Sequence, residues 1–346
     1  MLLLALRDLQ WRRRRFVIAV AATGLVFAMS LLLAGVSTTI HDEPKQVVDA
    51  VGADAWVVAE GASGPFTTPE VFPASVAADV ERIPGVRAAD SFAVLHTSIE
   101  DGELRDINLI GVRVGGVGTP HVDEGRAPRR SNEVIVDRAL EVDVGDEITV
   151  SGRRLEVVGE TSGITYLFGT PTVFAPLSDL QDLGFGGQPL ATATITRGVP
   201  ESAPDGFKVM FDDAVADDLD RQLKNGTETI DFLNILLFFV AAGIVGSMVY
   251  LSALERTRDF AVLKATGVGN GGLLAGLALQ AVILSIAAVA AAAVLARVLG
   301  PVFPFEVQFT ARSLARLAVI AIIIGLVASA MGFRRVARTD PALAFG

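Results

Sequence analysis

LERTRDFAVLKATGVGNGG, residues 254–272, is the stretch on which the reading of the chain turns. It carries charge of both signs, ends in a glycine cluster and is flanked by two long apolar runs, 232–254 and 273–296. Outward from it lie two further runs without a charge, 16–40 and 317–333. At 1.5 Å per helical residue each is long enough, or nearly so for the last, to cross roughly 30 Å of hydrocarbon. A mean hydropathy of +0.51, with 51% hydrophobic and 20% charged residues, requires this segregation into blocks.

Charge placement orients the runs. Arg7, Arg12, Arg13, Arg14 and Arg15 precede the first run with Asp8 as the only acid among them; Arg256, Arg258 and Lys264 lie between the second and third; Arg334, Arg335 and Arg338 follow the fourth. Basic residues next to membrane ends favour the cytoplasm, so four spans with both termini inside satisfy every boundary. Arg297, Arg312 and Arg316, in the outer loop 300–316, weaken this pattern without reversing it.

The same topology puts residues 41–231 outside the cytoplasm. They hold 15 Lys and Arg against 34 Asp and Glu, whereas the remainder holds 14 against 5. An acidic domain repels phosphates, which argues against nucleic acid as a partner. With no cysteine the domain needs a core of its own, for which about 190 residues suffice. LLLAGVS (31–37) has the outline of a lipoprotein cleavage box, but Val36 stands where its cysteine would be. The 25-residue first run exceeds the apolar region of a cleavable signal peptide and reads as an uncleaved anchor.

Within 41–231 the pattern is α+β. GADAWVVAE (52–60) reads as an early strand, and 90–112 as two strands around the turn dipeptide Asp101-Gly102. EVIVD (133–137) alternates, and 147–160 is a hairpin turning at Ser151-Gly152. Ser178 is the expected N-cap of a short helix through Leu183, and ATATIT (191–196) a further strand. From Asp212, Val215, Leu219, Gln222 and Leu223 recur at helical spacing, a helix able to run directly into the second span. At the other end, 37–45 joins the domain to the first span.

Motifs that carry chemistry are missing. There is no G-x-x-x-x-G-K-[ST], no H-E-x-x-H and no G-x-S-x-G, so neither a catalytic nor a metal residue is expected. His41, His96 and His121 are scattered. Asp212, Asp213, Asp217, Asp218 and Asp220 do not have the spacing of an EF-hand loop and read as a solvated helix face. Spans one, two and four carry no ionisable group, which disfavours an ion-driven transporter.

The opening stretch contains one formal match, Gly267, Gly269 and Gly272 as G-x-G-x-x-G. A dinucleotide fingerprint follows a strand; here a charged helical segment precedes it and a span follows, so the glycines read as a tight turn back to the bilayer. Before them Phe260, Leu263 and Gly267 share a helical face ringed by Arg256, Arg258, Asp259 and Lys264. Such a short amphipathic helix lies on headgroups or inserts its ridge into a partner's groove.

At this point the sequence resembles a known family. ALERTRDFAVLKATGV (253–268) is similar to the conserved turn of FtsX-like permeases, the MacB-type membrane subunits of ABC transporters, V-x-E-R-x-R-E-I-G-x-L-[KR]-A-x-G. Asp259 and Phe260 stand where Glu and Ile are usual. LALRDLQWRRRRF (4–16) resembles the family's cytoplasmic N-terminal helix. GADAWVV and EGRAPRRSNEVIVDRAL…VGDEITVSGRRLEVVGE (124–160) resemble its MacB-like core domain, and RRVARTDPALAFG (334–346) its C-terminal tail.

The resemblance implies an α+β membrane protein with one transmembrane helix before an extracytoplasmic MacB-like domain and three after it. The expected segments are a cytoplasmic helix 1–15, span 16–40, domain 41–231, span 232–254, coupling helix and turn 255–272, span 273–299, loop 300–316, span 317–333 and tail 334–346. It implies a multi-pass permease of a bacterial cell membrane, without enzymatic activity or cofactor of its own, paired with a second permease copy or a related chain. Two copies of an ATP-binding subunit would hold ATP and Mg²⁺. Glu255, Arg256, Arg258, Asp259, Phe260, Leu263 and Lys264 would dock that subunit. Nucleotide-driven motion would be transmitted to the outer domain to move a lipid, lipoprotein, peptide or drug. The alternatives are control of a cell-wall hydrolase or another extracytoplasmic partner, and a sensor or scaffold that transports nothing. Gly243, Gly246 and Ser247 in the second span, and Gly325 and Ser329 in the fourth, are candidates for close helix packing among the membrane lipids.

Overall fold

The computed structural model describes residues 13–101, 103–255, 262, 269–300 and 311–337. The described residues fall into two units, one formed by 1–38 with 228–346 and the other by 39–227.

The first unit is helical. Helix α1 (Arg13–Val51) opens the chain, and α4 (Asp212–Glu255), α5 (Asn270–Leu299) and α6 (Ala311–Ala337) close it. Four apolar stretches on them are long enough to cross a membrane: Phe16–Val51, Gly226–Ser252, Asn270–Leu299 and Ala311–Ala330. In α1 the charge-free part ends at Ile40, and the residues from Thr39 onward belong to the second unit. Segment 37–45, expected as a connector, is instead helical and includes Pro44. An interior proline has no N–H to give the carbonyl four residues back, here Ile40, so the helix is weakened where its polarity changes. Helix α4 has no such break, and the helix that begins at Asp212 runs on through the second apolar stretch.

The second unit is the inserted domain. Its strands are β1 (Ala55–Ala59), β2 (Phe72–Pro73), β3 (Ala88–Asp101), β4 (Glu103–Val112), β5 (Glu124–Gly125), β6 (Glu133–Asp137), β7 (Glu147–Val150), β8 (Arg153–Thr161), β9 (Thr165–Tyr166), β10 (Thr170–Pro176), β11 (Leu190–Ala191), β12 (Ala193–Arg197) and β13 (Phe207–Met210). Short helices α2 (Val76–Val80) and α3 (Leu177–Gly184) interrupt them. The main sheet runs β13-β1-β12-β3-β4-β10-β6-β8-β5, with β7 against β3 and β8, and β9 against β10. Long β3 serves both halves: residues 88–92 pair with β12, and 93–101 pair with β4.

Local chemistry explains the hairpins. At Ser151 and Gly152 φ is 48° and 78°, the paired left-handed conformation of a two-residue turn, and β7 meets β8 on either side. The β3–β4 hairpin pairs Asp101 with Glu103 across the expected turn, although Gly102 itself lies outside the described residues. The expected cap at Ser178 is corrected: α3 starts at Leu177 after Pro176, with no side-chain cap bond. Proline fixes its own φ near the value required at the helix entrance, so the helix can begin two residues earlier without a hydroxyl cap.

Two clusters form the core of the domain. One gathers Trp56, Phe66, Phe92, Ile110, Phe174 and Ile195 with Val47, Val48 and Val51 of α1 and Val215 and Leu219 of α4. The other lies between α3 and the sheet, with Ile99, Ile107, Leu109, Leu155 and Leu180.

Candidate functional site

The expected docking segment begins where α4 ends. Glu255 is the last residue of that helix and is exposed; Val262 is helical and 49% exposed. Arg256, Arg258, Asp259, Phe260, Leu263, Lys264 and Gly267 lie outside the described residues. Of the three glycines expected in the turn, Gly269 and Gly272 are among the described residues. Gly269 has φ −68° and ψ 158°, the extended conformation of a helix N-cap, and its carbonyl accepts from the Gly272 amide at 3.0 Å. Gly272 therefore sits in the first turn of α5, directly after the extended N-cap residue Gly269.

The helical unit has an interior rich in small residues. Ala19, Ala28, Ala241, Ala281, Ala288, Ala292, Ala296, Ala321 and Ala328 are buried there, interleaved with Leu and Val. Gly325 faces α5 so closely that an added Cβ would lie 2.9 Å from Ser285 Oγ and 3.2 Å from the Ala281 carbonyl oxygen. Ser329, also buried, donates to the Leu326 carbonyl of its own helix. Gly246 faces Ala328 at ordinary contact distance, 3.9 Å. Gly243 has open space where its side chain would be, and exposed Ser247 donates back to Ile244.

One close contact was not among the sequence candidates. A Cβ on Gly24 of α1 would lie 3.0 Å from Ala291 Cβ and 3.3 Å from the Ala288 carbonyl oxygen of α5. Its signal is Gly24 four residues before buried Ala28, a small-xxx-small pair. Two polar pairs tie helices together: Ser30 donates to Asn234 at 2.8 Å between α1 and α4, and Gln280 donates to Ser252 at 3.1 Å between α5 and α4.

The inserted domain buries one carboxylate in an arginine clamp. Glu133 is buried and takes Arg126 in a bidentate pair at 2.7 and 2.8 Å, with Arg130 at 2.8 Å. The Arg126 contact, foremost, holds its carboxyl well below the usual range. This explains EGRAPRRSNE (124–133) as a structural clamp. The solvated face expected of the aspartates is corrected at two of them, while Asp213 and Asp217 are exposed. Asp218 is buried and accepts from Thr67 Oγ1 at 2.7 Å, and Asp212 accepts from Trp56 Nε1 at 3.0 Å; burial pushes the Asp212 carboxyl up. Their positions three residues either side of buried Val215 place them on the inward stripe. Among the described residues no group of acids and histidines is arranged to hold a metal ion. His96 is engaged with Asn108 Oδ1 at 3.0 Å.

Four membrane-length helices, one before and three after an α+β domain, now stand beside the similarities of the sequence. Residues 17–224 match the family described as MacB-like periplasmic core domain, and residues 232–341 match FtsX-like permease C-terminal. An uncharacterized ABC transporter permease of Mycobacterium tuberculosis is 44% identical over 347 residues, 100% of this chain and 99% of that one. The chain belongs to the FtsX-like, MacB-type ABC transporter permeases. The permease is also 20% identical over 359 residues to a putative hemin transport system permease protein of Staphylococcus epidermidis, covering 99% of each. The periplasmic region of MacB from Actinobacillus actinomycetemcomitans aligns with 50% of the permease and 95% of that chain, at 12% identity and a TM-score of 0.38. The permease is thus a multi-pass membrane subunit, and its class implies an ATP-binding partner.

Proposed function

We propose that this permease subunit converts ATP hydrolysis on a separate ATP-binding subunit into movement of its inserted domain on the outer side of the membrane. The observation that carries the reading is the length of α1 and α4, 39 and 44 residues. Each is one helix whose apolar part packs in the helical unit and whose polar end packs in the domain core, through Val47, Val48 and Val51 or through Val215 and Leu219. A helix transmits displacement along its axis because its hydrogen bonds are all internal.

On this reading both termini and residues 255–272 face the cytoplasm, and 41–231 the outside. ATP and Mg²⁺ sit in the partner, and two permease chains pair with two ATP-binding subunits. The cargo is an amphiphile or apolar molecule: a lipid, lipoprotein, peptide or drug. Spans without ionisable side chains support a solute carried without its own ion gradient.

The test is co-purification of the full chain with its ATP-binding subunit. Burying Leu263 would be worth roughly 1.5–3 kcal/mol, so Leu263→Asp should weaken the complex by about tenfold to a hundredfold. Arg258→Glu should weaken it in the same direction. Wild-type recovery in both variants would refute docking through this segment.

A further inference from the structure

Glu43 is a buried acid that the permease reading does not use. It lies in α1 three residues past the charge-free run, next to Pro44, and is 1% exposed. Its Oε1 accepts from Thr165 Oγ1 at 3.3 Å, while Oε2 is buried with no hydrogen-bond partner among the described residues. The backbone of Phe168 and Gly169 lies alongside the same carboxyl. All of these neighbours belong to the β9–β10 hairpin.

The tip of that hairpin is strained. Leu167, Phe168 and Gly169 join the strands, with φ of 60°, 63° and 80°. Left-handed backbone is natural for glycine but disfavoured for leucine and phenylalanine, so it persists only where surroundings enforce it. Asn108 of β4 enforces it from the sheet side, donating to the carbonyls of Tyr166 at 3.0 Å and Thr170 at 3.2 Å. Thr170 Oγ1 closes the loop by donating to Leu167 O at 2.8 Å. On the far side Phe168 meets α4 at Gly226, where an added Cβ would lie 2.8 Å from Phe168 Cζ. One loop therefore touches α1 at Glu43 and α4 at Gly226, both within the inserted domain's unit.

We propose that the β9–β10 tip is a proton-controlled latch between α1 and α4, seated on both helices when Glu43 is neutral and released from α1 when Glu43 ionises. Burial, against weaker opposing help from the Gly169 amide and the Thr165 hydroxyl, pushes the carboxyl from 4.5 up to about 7. Segment 165–170 contains no charged residue, and β6, which pairs with β10, contributes Asp137, already engaged by the Ala139 and Ile164 amides. The charges beside Glu43 on its own helix, His41, Asp42 and Lys45, are exposed. The sign follows. A carboxyl whose pKa is raised in the closed form stabilises that form fully below about 4.5, and the contribution is lost as pH rises to about 7. Pro44 places the weakest point of α1 beside the switch. The latch concerns the inserted domain alone and stands whether or not an ATPase docks at 255–272.

Hydrogen exchange of the full chain in lipid nanodiscs, corrected for intrinsic rates, tests it. Opening at residues 164–171 should rise about fortyfold between about pH 5 and 7 and level off near pH 8. Glu43→Gln, neutral and of the same shape, should stay protected with no pH profile. Gly226→Val, which displaces Phe168, should open the tip at every pH. Peptides over β12 report whether each variant is folded; if Glu43→Gln is not, the wild-type profile decides. A flat wild-type profile, or the wild-type profile retained in folded Glu43→Gln, overturns the proposal.

Discussion

The two units of the permease differ in what they bury and what they expose. The inserted domain buries its largest side chains, with Trp56, Phe92 and Phe174 at 0–1% exposure. The helical unit buries many alanines beside Phe27, Leu32, Leu277 and Leu284, and turns Phe232, Leu236, Phe239 and Ile323 outward, with Phe239 at 72%. The difference is one of solvent. In water, apolar area drives folding at roughly 25 cal/mol per Å², so the bulkiest groups go inside. Among lipid chains a phenylalanine gains little by leaving the surface, and helices associate by close approach and a few polar bonds, for which small residues serve best.

The contrast can be broken at three places. Trp56→Ala should cost the domain about 3–5 kcal/mol, because it empties a site packed against Phe66 at 5.7 Å and Phe92 at 5.1 Å. Thermal melting of the full chain in detergent, followed by circular dichroism, measures this; a loss below about 1 kcal/mol would mean the aromatic cluster is not the core. Gly325→Leu should destabilise the helical unit by about 1–3 kcal/mol, since the Ala281 carbonyl cannot yield as a side chain can. Phe239→Ala, which removes more atoms, should shift the same detergent unfolding curve far less. If the order of these two is reversed, the bundle is packed like a water-soluble core. The smallest effect is expected from Gln280→Leu, about 0.6 kcal/mol, as one interhelical hydrogen bond in lipid is worth little.

The same contrast governs what could be read from sequence. Spans are written in composition and hairpins in turn chemistry, so the apolar runs, Ser151-Gly152 and the strand 133–137 were visible directly. The helix through residues 37–45 was not, because a change from apolar to charged residues marks the edge of a span and not the end of a helix. The loop at Leu167-Phe168 was hidden for another reason: neither residue favours the backbone it adopts, and the cause lies with Asn108, about 60 residues earlier. Small residues are so frequent in the spans that sequence could not separate Gly24 and Gly325, which are pressed against α5, from Gly243 and Gly276, which have open space. The inward aspartates at 212 and 218 were readable in principle, since they share the stripe of Val215, but charge count outweighed phase.

The place of β1 in the sheet has a consequence for how the chain is made. Its hydrogen-bonded neighbours are β12 and β13, and Ala55 is paired with Thr196, 141 residues later. During synthesis, AWVVA leaves the ribosome long before either neighbour exists, as an unpaired and wholly apolar segment. Half of the sheet can assemble early through β3, β4, β6 and β8, but the half that carries Trp56 closes only when residue 210 has emerged. Folding of this domain is therefore set to be late and slow, as non-local strand pairing requires, and its first strand is the segment most in need of protection by a chaperone while it waits.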